Sequence, residues 1–226
     1  MNPMTRLLIA AVAFLATHYV SSTPLRARLV RALGTNGYLL LYSAVAFATL
    51  GGMAWAYYRA PFFGLWQVTA LRYVPLVAMP LAMVFIVCGL LTRNPTLVGA
   101  ERLLRTDDPA QGILRVTRHP LMWGITLWAA SHVVARGDAA AVVFFGSFLA
   151  LALTGTVLID RRKRAALGAD WQRFTAVTSN VPFAAIIAGA NRFSAREIGW
   201  FRLLAALALY GLVLWLHSLL FGARPY

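Results

Sequence analysis

The sequence predicts an all-α fold, a polytopic membrane helical bundle of about six transmembrane helices plus an amphipathic interfacial helix. Two observations predict it. Hydrophobic residues make up 60% of the 226-residue chain and charged residues only 12%, whereas a soluble domain carries about 25% charged residues. The apolar residues also fall in blocks free of Asp, Glu, Lys and Arg, at 7–23, 38–58, 73–92, 120–135, 139–159 and 203–223. A helix needs about 20 residues to cross the hydrocarbon, with roughly 17 as the lower bound. Four blocks are ample by that measure, and the first and fourth are short.

Each element has a local justification. The first block ends in THYVSSTPLRARL, with no small-residue cleavage site and with positive charge after it, so it reads as a retained helix and not a signal peptide. Helix two follows GTNG, 34–37, a turn signal. Pro75 and Pro80 would kink helix three and open space for a ligand. Gly51-Gly52 and Gly155 suit close helix approach. Asp107-Asp108-Pro109 is expected to cap a helix entering at Ala110. Pro120 stands in the first turn of helix four, where a missing N–H matters least. Only Arg136-Gly137-Asp138 separates helices four and five, which makes them a tight antiparallel hairpin. RRKRAALGADWQRFTAV, 161–177, reads as one amphipathic helix with Ala165, Leu167, Trp171 and Phe174 towards the membrane. PFAAIIAG, 182–189, is too short to span. No linker, repeat or low-complexity tract divides the chain, so residues 1–226 form a single integral membrane domain. The one cysteine, Cys88, excludes an intramolecular disulfide.

The net charge is +14, and its distribution points to a membrane surface. Connections 24–37, 93–119 and 160–199 hold most of the Arg and Lys, including Arg161-Arg162-Lys163-Arg164. The positive-inside rule then sets these long basic loops in the cytoplasm and both termini outside, in a bacterial-type inner (plasma) membrane. The expected partners are anionic lipid head groups, and not nucleic acid.

Four histidines stand out. His18, His132 and His217 lie within spans, and His119 opens helix four. Ionisable residues inside a bilayer mark functional sites by default, although a lone neutral imidazole bonded to a carbonyl is an equal alternative. No Cys or carboxylate cluster accompanies them, which argues against structural zinc. An iron porphyrin suits them better, being apolar and taking axial imidazoles. Trp123, Trp128, Trp215, Phe14, Phe144 and Phe145 are candidate walls. His119 and His132 are separated by roughly 20 Å and about 140° on one helix, so they cannot clasp one iron. Depth favours the pairs His18/His119 and His132/His217. Arg118 is a candidate partner for a haem propionate or an anionic head group.

The blocks THYVSSTPLRARLVRALGTNGYLLLYS, TRHPLMWGITLWAASHVVARGD, DRRKRAALGADWQRFTAVTSNVPFAAIIAG and the closing WLHSLLFGARP resemble the NnrU family. The resemblance runs from about His18 over nearly the whole chain. They are also similar to the 15-cis-ζ-carotene isomerase class. That resemblance implies haem b and a redox-dependent cis–trans isomerisation of a lipophilic polyene in the bilayer. The axial positions it implies match His18 and His132, which the depth expectation sets roughly 15 Å apart along the membrane normal. Those isomerases have a cysteine just before the second histidine, whereas this chain has Leu127-Trp128-Ala129-Ala130. NnrU proteins are associated with denitrification, which implies an accessory role in nitrogen-oxide metabolism. RHPLMWG with GADWQRF also resembles the isoprenylcysteine carboxyl methyltransferase class, which holds S-adenosylmethionine near RHPxYxG and an acidic pair. Here Met122 takes the tyrosine position and Asp160-Arg161 the acidic pair. A non-catalytic membrane assembly factor with structural histidines is the third class.

Overall fold

Proline opens four of the long helices. In the computed structural model, which describes residues 1–97, 99–106 and 108–225, α1 runs Pro3–Tyr19, α2 Pro24–Tyr58, α3 Val74–Leu91 and α4 Pro120–Arg136. Each has Pro at its first or second position, where φ is already helical and no N–H is required. The remaining helices are α5 Ala139–Leu167, α6 Ala169–Ala176, α7 Ala184–Ile187, α8 Ala195–Ile198 and α9 Trp200–Phe221. Five segments are long and apolar enough to cross a membrane: Pro3–Ser22, Pro24–Tyr58, Thr69–Leu91, Ala139–Leu167 and Trp200–Phe221. α4 has 17 residues, a rise of about 26 Å, which sits at the lower bound for a span.

The six long helices alternate in direction. α4 packs between α3 and α5, α9 lies on the far side of α3, and α1 with α2 covers α5. At the α3–α4 crossing a Cβ on Gly124 would collide with Ile86 Cγ1 and with the Ala82 carbonyl, and one on Gly89 with Pro120. Small residues therefore set this close approach. Gly51 and Gly52 have open space around them and Gly155 only ordinary contact with Met122, so the glycines expected to bring helices together are not the ones that do. Large apolar side chains such as Phe47, Val77, Phe201, Trp215 and Leu219 face outward, each more than 70% exposed. Lipid accepts such a surface; water does not.

Several local expectations change. α2 is two helices joined at Gly34: an added first one starts at Pro24, after extended Thr23, and the expected one starts within 34–37, directly after Gly34. Of the GTNG turn signal only Gly34 departs, at φ 71°, a conformation glycine adopts without a Cβ penalty. Pro75 starts α3 and does not bend it. Pro80 is interior and leaves the Leu76 carbonyl without its helical donor; Tyr210 of α9 donates to that carbonyl at 3.2 Å. The basic segment 161–177 is not one interfacial helix. Its first half continues α5, and Gly168 at φ 50° breaks the chain before α6. Trp171 and Phe174 are fully buried against Leu104 and Ala110, because the 93–119 connection folds beneath them and supplies a protein surface where lipid was expected. Asp107 lies outside the described residues. Asp108 accepts from Ala110 N, but a 3-10 turn, Gly112–Arg115, follows in place of a helix entering at Ala110.

The α4–α5 hairpin forms as its sequence dictates. Gly137 closes α4 at φ 60°, and Asp138 caps α5 through Ala141 N at 3.0 Å. The 59–68 connection seals this end, with Leu65 N donating to Gly137 O at 2.7 Å and Ala139 N to Phe63 O at 2.9 Å.

Candidate functional site

Phe14 on α1, Trp128 on α4 and Phe144, Phe145 and Phe148 on α5 project into one aromatic cluster, completed by Tyr57. Phe14, Trp128, Phe144 and Phe145 were among the expected walls. Trp215 instead faces outward, and Trp123 leaves the cluster to donate to Asn180 O at 2.8 Å.

Two histidines flank this cluster in the same way. His18 Nδ1 bonds Phe14 O at 2.7 Å and His132 Nδ1 bonds Trp128 O at 2.8 Å. In each case the acceptor is the carbonyl four residues earlier. That hydrogen bond places the proton on Nδ1 and leaves the Nε2 lone pair outward, the arrangement a metal-ligating imidazole uses. Neither Nε2 has a hydrogen-bond partner among the described residues. His18 packs on Phe14 at 4.2 Å and His132 stacks on Phe145 at 5.0 Å between ring centroids.

Among the described residues the two imidazoles make no ring contact with each other; each packs on its own aromatic neighbour. Phe14 and Trp128 both touch Phe148, at 5.0 Å each. His18 lies one turn beyond Phe14 towards the basic end of the bundle, and His132 one turn beyond Trp128 towards the other. The Cα atoms of the two histidines are therefore about 12 Å apart along the helix axes, and each ring leans back over the preceding turn. His217, near the end of α9, lies within electrostatic range of His132, and its Nδ1 bonds Ala223 O at 2.8 Å.

His119 belongs to a different structure. Its Nε2 bonds Asp160 Oδ1 at 2.7 Å, and the side chain is 1% exposed. Arg118 grips the same carboxylate, with Nη2 to Oδ2 at 2.6 Å and Nε to both oxygens, while Nη1 donates to Thr178 O at 2.9 Å. Thr117 donates to Asn180 O at 2.6 Å, and Asn180 Nδ2 donates to Thr156 at 2.9 Å. This junction locks the start of α4 to α5 and to 178–180. Arg118 has its fork committed, so it has little left for a propionate. His119 has its Nε2 committed and its side chain is 1% exposed inside this junction, so it does not offer the His18/His119 pairing an outward nitrogen like that of His18. Asp160, at the position of the acidic pair in the methyltransferase resemblance, is likewise engaged.

Sequence reasoning passed over three further polar groups. Arg115 is buried and binds Glu197, Asp108 and Asn191 at 2.6, 2.6 and 2.8 Å. The hydrogen bond from Arg115 is the chief reason the Glu197 carboxyl is held below the usual carboxylate range. Lys163 is buried against Glu101, Pro95 O and Leu97 O. Arg26, Arg162, Tyr38 and Tyr42 gather beside His18. The available signal was scarcity: the chain has seven acidic residues against 21 basic ones, and each of the six described acids has a basic partner.

For haem b, the donor chemistry fits. Among the described residues nothing bonds the Nε2 of His18, His132 or His217, and the aromatic cluster provides an apolar wall. Among the described residues no three His, Cys, Asp or Glu side chains gather as a metal site; a porphyrin brings its own four nitrogens and needs only axial donors.

A sequence model described as "NnrU protein" matches residues 6–225. The chain is similar to "15-cis-zeta-carotene isomerase, chloroplastic" from Zea mays, 36% identical over 81 residues, and to the protein of the same description from Arabidopsis thaliana, 37% identical over 78 residues. These alignments cover 36% and 34% of this chain but only 22% and 21% of the relatives. No solved structure matches.

Proposed function

Because the chain belongs to the NnrU family, we propose that it is an integral membrane haem b protein that isomerises a lipophilic polyene in a redox-dependent way. The observation that carries this reading is the shared anchoring of His18 and His132: Nδ1 on a backbone carbonyl, Nε2 free, beside one aromatic cluster inside the bundle. The similarity to proteins described as 15-cis-zeta-carotene isomerase supports the isomerase part of this reading.

His132 is common to the two pairings still open, with His18 across the cluster or with His217 on α9, and is the ligand the proposal depends on. Bound haem would supply an iron centre that changes charge by one electron in a site of low dielectric. The chain's own residues do the rest. The carbonyls of Phe14 and Trp128 fix each imidazole tautomer, and Phe144, Phe145 and Phe148 exclude water. The long basic connections would face the cytoplasm of an inner membrane and meet anionic head groups.

The test is an absorption spectrum of detergent-purified protein expressed with haem supply, oxidised and then dithionite-reduced, followed by incubation with a cis polyene. A Soret band that shifts on reduction, with cis-to-trans conversion only in the reduced state, is the expected result. Haem without isomerisation would move the reading to an accessory role in nitrogen-oxide metabolism. Absence of a Soret band, with S-adenosylmethionine binding by calorimetry, would replace it with the methyltransferase class.

A further inference from the structure

At the basic end of the bundle, α1, α2 and α5 enclose cations with no anion between them. Arg162, half-buried on α5, makes one hydrogen bond, to Ser21 O at 3.1 Å. Arg26 lies over the Tyr38 ring at 5.6 Å. Arg162 is within electrostatic range of Arg26, Tyr38 and Tyr42, and among the described residues neither arginine forms an ion pair. The nearest acid, Glu101, is bound to Lys163 at 2.7 Å. Tyr38, whose ring lies under Arg26, is 3% exposed, and its buried hydroxyl has no hydrogen-bond partner among the described residues. Tyr42 extends this wall to His18, with ring centroids 5.9 Å from Tyr38 and 6.1 Å from His18.

Two like charges at close quarters repel, and a buried hydroxyl without a partner is disfavoured. Both problems have one solution, an oxyanion that takes the two guanidinium forks and the hydroxyl proton together. The geometry points to Arg26, Arg162 and Tyr38 as a binding site for an oxyanion, phosphate or carboxylate, carried by a membrane-soluble molecule. Two sources have this chemistry: the phosphate of an anionic phospholipid and the carboxylates of a porphyrin. The site stands on its own contacts and does not require that haem binds.

The test uses the full chain, delipidated in a nonionic detergent and titrated with short-chain phosphatidylglycerol, with phosphatidylcholine, with haem b and with haem b dimethyl ester. Phosphatidylglycerol bound more tightly than phosphatidylcholine identifies the phosphate source. Haem b bound more tightly than its ester identifies the carboxylate source. In either case the preference should fall about tenfold in Arg162→Met, fall less in Tyr38→Phe, and persist in Arg59→Met, whose arginine lies on Trp55 at the far end of α2. Thermal unfolding adds an independent readout. Without anion Arg162→Met should be at least as stable as the parent, since it relieves repulsion, and only the parent should gain stability when anion is added. Preferences unchanged in Arg162→Met and Tyr38→Phe, or no preference for either anion in the parent, would overturn the site. Phosphate preference with no binding of either haem form would leave the site standing and count against the haem reading.

Discussion

Replacing Asp160 by Asn removes a charge on which two other buried side chains depend. Asp160 accepts from Arg118 at 2.6 and 3.0 Å and from His119 at 2.7 Å. The side chains of Asp160, Arg118 and His119 are 13%, 11% and 1% exposed. Breaking a buried pair from one side leaves the other charge uncompensated and typically destabilises by about 3–5 kcal/mol. Asn keeps one acceptor oxygen, so the loss should fall near the lower figure, about 3 kcal/mol. Arg118 also retains its bond to Thr178 O, which keeps the guanidinium in place without neutralising it. Equilibrium unfolding in detergent, followed by circular dichroism, would measure the change. Adding Arg118→Met to Asp160→Asn should recover part of the loss, since the stranded cation is then gone, and the two substitutions should be clearly non-additive. A change below about 0.5 kcal/mol in Asp160→Asn would refute the assignment of this junction as the clamp between α4 and α5.

Other perturbations test other parts of the account. Gly124→Ala places a methyl group against Ile86 and the Ala82 carbonyl, and should destabilise by about 1–3 kcal/mol in the same unfolding assay. Tyr210→Phe leaves the Leu76 carbonyl without its donor and should lower stability by roughly 1 kcal/mol. Glu197 has a folded pKa below its unfolded value of about 4.3. Its contribution is therefore present above that value and is lost as pH falls through the lower folded one. The protection of amides around 112–116 and 195–199, taken relative to the intrinsic exchange rate at each pH, should accordingly be lower at about pH 3 than at pH 6, and Glu197→Gln should flatten that dependence.

Much of the fold is legible in local chemistry. Pro120 starts α4 and Gly137 ends it because their backbone preferences need no tertiary help, and the charge-free blocks mark helices that only lipid can surround. Gly34 shows the limit of a turn signal: four permissive residues allow a turn, but only one is needed to redirect a helix. Trp171 and Phe174 show the limit of amphipathicity. An apolar stripe says that a face is covered, and not whether lipid or the 93–119 connection covers it. At the candidate site the imidazole anchors on Phe14 and Trp128 follow from helical spacing, since a histidine reaches the carbonyl four residues back. The engagement of His119 by Asp160 spans 41 residues in sequence, and no local pattern announces it. For the same reason Arg118 reads as open to an external anion although Asp160 takes it, whereas Arg26 and Arg162, neither in an ion pair among the described residues, are brought together only by the packing of α1, α2 and α5.

The haem-to-protein ratio of His132→Ala, measured as pyridine haemochrome after purification beside the parent protein, tests the central claim most directly. The account predicts that the ratio falls to near zero in a variant whose circular dichroism matches the parent, because both proposed pairings would require His132 as a donor. Retention of haem at the parent's ratio would contradict it.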